Sequence, residues 1–234
     1  MNFRRMIFKG SKPKRDERHE GIQEGRAGLI EEEVFLLFKN LSKLVGKSID
    51  YIELGKRICM KLSELKQRCS VDKGSMEVYS KEAKAIREQK WFIDLVSKFN
   101  SLAQESAEME DKGKEQKIYK RIMHLHFYTE SPELAIEYAM KRIRVLSILK
   151  KEEDEPERIA EVIDKTIRFS IDVIDEFSKR GIIAREKKIE LLMKIEEELK
   201  FLAIKGGAAV LVSKQLDEAE KSQSKGSNAD ISLF

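Results

Sequence analysis

From Ile30 onward the large apolar residues recur at three- and four-residue intervals, the spacing that lines one face of an α-helix. Ile30, Val34, Leu37, Phe38, Leu41, Leu44 and Val45 form the first stripe, and Gly46 ends it. Ser48 is placed to cap a second helix, whose apolar face runs through Ile52, Ile58, Cys59, Leu62, Leu65 and Cys69. A break at 72–74 closes it, which predicts a tight helical hairpin. A third stripe starts near Ser75 with Val78, Tyr79, Ala83 and Ile86 and continues through Phe92, Leu95, Val96, Phe99, Leu102 and Met109. One long helix is expected there, broken at Gly113 before a short helix with Ile118, Tyr119, Ile122, Leu125 and His126.

Ser131, Pro132 and Glu133 supply an N-cap, a first-turn proline and a first-turn acid, so a helix should run from there to about Leu149. The acidic stretch 152–157 is expected to be a loop. It leads into a helix with Ile159, Ile163, Ile167, Ile174 and Phe177 on one face and Gly181 past its end. Residues 184–204 carry Ile189, Leu192, Ile195, Leu199 and Leu202 at burial spacing, and Gly206 and Gly207 mark a stop before a last helix over 208–221. No internal repeat of fixed period occurs, and no segment keeps strict heptads over four repeats. The pattern predicts an all-α bundle of about six to eight helices in antiparallel hairpins over 30–222. A flexible basic segment (1–29) precedes it and a linker with a short apolar peptide (223–234) follows.

Composition supports helices over sheet. Prolines stand only at 13, 132 and 156, and threonine occurs only at 129 and 166, so the β-branched richness that strands prefer is absent. Apolar residues make up 41%, enough for a core, and 38% are charged for a net +4. Residues 1–100 hold 22 basic and 15 acidic groups, whereas 151–200 hold 11 and 15, so the charge is polarised along the chain. No run approaches the roughly 18–20 apolar residues of a membrane span, and no secretory leader is evident, so a cytoplasmic protein is expected, peripheral at a membrane if it meets one. Cys59 and Cys69 lack a metal-binding partner pattern and should stay reduced and buried; no metal, disulfide or cofactor is expected. Heavy Lys, Glu and Ile usage matches heat-adapted proteins.

Catalytic patterns are missing: there is no phosphate-binding Gly-rich loop, no HExxH, no GxSxG and no EF-hand spacing. An enzyme is therefore not expected. The one histidine constellation is Arg121-Ile-Met-His124-Leu-His126, preceded by Lys120 and followed by Phe127 and Tyr128. Over six residues it resembles the Arg-x4-to-6-His signature of HEPN ribonucleases, with Ile122 where that family has a polar residue. The resemblance implies Arg121 as electrostatic stabiliser and His126 as acid or base at a subunit interface. Packing is the plainer reading of these histidines.

The two ends carry the remaining signals. Phe3, Arg4, Arg5, Met6, Ile7, Phe8 and Lys9 interleave apolar and basic groups as short interfacial anchors do. With the basic first half and acidic second half, this outline is similar to endosomal-sorting filament proteins, which would imply contact with anionic membranes and homo-oligomers. Arg4, Arg5, Lys9, Lys12, Lys14, Arg15 and Arg18 also suit weak, salt-sensitive nucleic-acid contact, diluted by Asp16, Glu17 and Glu20. At the other end Asp230, Ile231, Leu233 and Phe234 combine an acid with three apolar anchors. This ending resembles the tips of bacterial single-stranded DNA-binding proteins and the sliding-clamp peptides of replication factors, with Asn228 in place of the latter's glutamine. Such a peptide suits an apolar groove with a basic rim, on a partner or on its own bundle. The leading expectation is a non-enzymatic helical adaptor or assembly factor that binds protein partners.

Overall fold

The computed structural model describes residues 50–152 and 154–227, together with Leu36. Those residues form eight α-helices, and the protein is an all-α bundle. The helix expected over 30–45 lies outside the described residues, apart from Leu36, which is helical. So do Phe3, Arg4, Arg5, Ile7, Phe8 and Lys9, and Asp230, Ile231, Leu233 and Phe234.

Helix α1 (Tyr51–Cys69) opens after Asp50, whose carboxylate accepts the N–H groups of Ile52 and Glu53 at 3.0 and 3.1 Å. Asp50, not Ser48, is the cap, and its charge suits the positive end of the helix. The single long helix expected from Ser75 is in fact two, α2 (Lys73–Arg87) and α3 (Lys90–Glu108), parted at Glu88 and Gln89. Gln89 is extended and offers no side-chain cap to α3. Packing sets this break, because it turns Phe92 into the core beside the His126 ring, 6.1 Å away. The next break falls at Glu110, which takes a left-handed φ of 59°, and Asp111 caps α4 (Lys112–Tyr128) through the Lys114 N–H at 2.8 Å. Gly113 therefore sits inside the first turn of α4 and does not break the chain.

Helix α5 (Pro132–Glu152) starts at the expected proline, and α6 (Pro156–Lys179) also takes its proline in the first turn. Gly181, at φ 69°, closes α6: its N–H donates to Ser178 O at 3.0 Å and that of Ile182 to Phe177 O at 2.9 Å. Helix α7 (Arg185–Phe201) ends short of the expected Ile204, with Ala203 left-handed at φ 54°. Helix α8 (Ala208–Ser227) runs on past Lys221, so the backbone expected to be linker over 223–227 is helical.

Helix α5 is central. It packs against α4, α6 and α7, and its buried positions, Ala135, Ile136, Tyr138, Ala139, Met140, Ile143 and Leu146 among them, surround most of its circumference. Helix α1 lies on α4, and α8 lies on α6 and α7. Tyr79, Phe99 and Phe177 are the largest side chains with no exposed surface. Each such large apolar group stabilises the fold by about 1.5–3 kcal/mol. Cys59 and Cys69 are buried on α1, and ten residues of helix hold them about 15 Å apart, beyond reach of a disulfide with one another. No described helix is long and apolar enough to cross a membrane.

Candidate functional site

Helix α1 runs alongside α4 in the same direction: Gly55 lies over Arg121, and Lys66 lies over Phe127. Lys66 also meets Glu176 near the end of α6. The carboxyl ends of α1, α4 and α6 therefore converge, and the negative ends of three helix dipoles favour cations there. The sequence supplies them, with Lys66 and Arg68 in the last turn of α1 and Lys179 and Arg180 at the end of α6. Helix α2 completes the wall of a groove of ≈ 1490 Å³ between these elements.

The floor of the groove is built from buried ion pairs and aromatic rings. Arg180 forks onto Glu130, Nη1 to Oε1 at 2.8 Å and Nη2 to Oε2 at 2.9 Å, and Nη2 also donates to Ser80 Oγ at 2.6 Å. Glu130 has no exposed side-chain surface and sits between α4 and α5 at a left-handed φ of 61°. Glu176 forms an ion pair with the Lys66 ammonium at 2.6 Å and accepts from Arg180 Nη1 at 3.3 Å. That ammonium lies 3.7 Å from the centre of the Phe127 ring, a cation–π contact. Burial holds the Lys66 pKa below the ordinary lysine range, and Glu176 opposes the shift. Every charge of the floor is thus matched. The rim is different: Lys81 and Lys84 are exposed on α2 and form no ion pair with a described residue. The same groove is lined by Val71, which is 70% exposed, and by half-buried Met76. An aromatic, apolar trough edged by unmatched lysines can hold an extended segment that carries both apolar and acidic side chains.

The Arg121–His126 constellation does not converge within the chain. Arg121 lies toward α1, its Cβ under Gly55. His126 is buried on another side of α4, stacked on Tyr138 at 5.5 Å and edge-on to Phe92. Its pKa falls to about 4 because burial disfavours the cation and Arg87 repels it. His124 packs edge-on to Phe169 at 5.0 Å and also falls to about 4, through burial first and then Lys120, Arg142 and Arg121. Both imidazoles are neutral at pH 7, as packing histidines are. No three His, Cys, Asp or Glu side chains among the described residues are grouped to hold a metal ion.

The residues that build the groove come from four separate helices, so spacing along the chain could not assemble them. The available signal was the cluster of bases in the last turns of α1 and α6. Comparison with protein-family models, curated proteins and solved structures finds no match to this chain.

Proposed function

We propose that the chain is a non-enzymatic cytoplasmic adaptor that binds partner proteins, with the groove at the carboxyl ends of α1, α4 and α6 receiving an acidic, apolar linear segment. The observation that carries this reading is the unmatched rim, where Lys81 and Lys84 line the same groove as exposed Val71, above a floor of formed ion pairs. Asp230, Ile231, Leu233 and Phe234 have the composition that such a groove accepts. A groove and a complementary segment on one chain also allow head-to-tail association of copies.

The test is fluorescence anisotropy of a labelled peptide spanning 223–234 titrated with the full chain. Saturable binding is expected, weakened at least tenfold by Lys81→Glu with Lys84→Glu, and weakened again when the peptide carries Ile231→Ala and Phe234→Ala. Equal binding of a scrambled peptide, or none of the native one, would refute the reading.

A further inference from the structure

Arg142 is only 7% exposed, yet its guanidinium meets no carboxylate among the described residues. Nη1 donates to Thr166 Oγ1 at 2.8 Å and Nε to Gln116 Oε1 at 3.3 Å, both neutral acceptors from the flanking helices α6 and α4. Guanidinium stays protonated at neutral pH, so among the described residues this buried cation is held by dipoles alone. The groups that face it add to the charge. Arg121 and Lys120 on α4 lie near enough that repulsion acts among them, and Arg121 Nε is buried with no hydrogen-bond partner among the described residues. Lys165 on α6 pairs with Glu161 at 2.6 Å, and Glu115, the buried acid of α4, is taken by Lys112 at 3.2 Å. Neither acid is left for Arg142. Burying a charge without a counter-charge is costly enough that proteins rarely do so unless something else supplies the opposite sign.

We propose that Arg142, Arg121 and Lys120 form a binding site for a phosphate-bearing anion beside α4, where Arg142 of α5 reaches Gln116. The chemistry fits the class. Two forked guanidiniums and an ammonium offer more donors and more charge than one carboxylate can match, whereas a phosphate group brings several acceptor oxygens and close to two negative charges. His124 stands in the same field, since Lys120, Arg142 and Arg121 all press on it, so its protonation reports on an anion that neutralises them.

The test follows the imidazole resonances of the full-length protein by NMR through an acid titration, in inorganic phosphate and in chloride of equal ionic strength. Phosphate should bind saturably and raise the His124 midpoint, leaving His126 where it is. Arg121→Gln and Lys120→Gln, both at half-buried positions, should each weaken phosphate binding at least tenfold, even if Arg142→Gln fails to fold. A second arm uses adenosine monophosphate. Affinity equal to that of inorganic phosphate supports recognition of the phosphate alone, and at least tenfold tighter binding supports a nucleotide as its carrier. Identical His124 titrations in phosphate and chloride, or binding unchanged in both α4 variants, would overturn the proposal.

Discussion

At the scale of single residues, two positions show how closely the core is filled. A Cβ placed on Gly55 would come 2.6 Å from the Phe99 ring, which has no exposed surface and no room to retreat. Gly55→Ala therefore adds crowding of about 1–3 kcal/mol, set against a helix-propensity gain of about 1 kcal/mol. The expected result is a net loss of about 1 kcal/mol in urea unfolding, the reverse of the gain usual for glycine to alanine inside a helix. The histidines give a pH dependence whose sign is fixed. Both titrate near 4 in the folded chain against an ordinary 6.5, so between those values the unfolded chain takes up protons that the folded one refuses. Their contribution is complete above about pH 6.5 and is lost as pH falls toward 4, on the order of 3 kcal/mol for each. His126→Phe keeps a ring against Tyr138 and removes the proton site. Compared with wild type, it should retain about 1–2 kcal/mol more stability at pH 5 and differ little at pH 7.5, as read from urea midpoints at both values.

At the scale of elements, start and stop signals were legible wherever one residue type decides them. Pro132 and Gly181 mark boundaries that the sequence alone predicts, because proline fixes the first turn and glycine enters the left-handed region freely, whereas Pro156, expected within a loop over 152–157, opens α6. The division between α2 and α3 was not legible, since Arg87, Glu88, Gln89 and Lys90 are all ordinary helix residues. There the burial of Phe92 outweighs local preference, and Glu110 takes a left-handed turn that sequence would assign to Gly113. The candidate groove was hidden for a related reason. Lys66, Ser80, Glu130 and Arg180 meet only once α1, α2, α6 and the α4–α5 turn have packed. These contacts also hold the helix ends together. Glu130→Ala leaves the Arg180 fork half-buried without its main partner, so a loss of about 3 kcal/mol is expected. Adding Arg180→Met should recover part of that loss. A double-mutant cycle measures the coupling, and strictly additive losses would show that the pair does not tie the elements together.

For the whole molecule, most helices pack on their neighbours in sequence, and α8 is held as the outer layer of the last three. Ala208 and Val212 are fully buried and Leu216 nearly so. Gln215 donates to Asp175 at 2.9 Å, Ser213 to Glu196 at 2.7 Å, and Arg185 reaches the Ala219 carbonyl at 2.9 Å. Burial of the valine and leucine alone is worth about 1.5–3 kcal/mol each. A chain ended after Gly207 should therefore melt on the order of 10 °C lower than the full chain. One ended after Lys221 keeps every described buried side chain, so its melting temperature should stay within about 2 °C of wild type. This second chain also separates fold from function, because it retains the groove and lacks the acidic, apolar segment. Added peptide 223–234 should bind it at least as tightly as it binds the full chain. If melting instead drops equally for both shortened chains, the residues beyond Lys221 are part of what holds the bundle together, and their apolar side chains are committed to the fold and not to a partner.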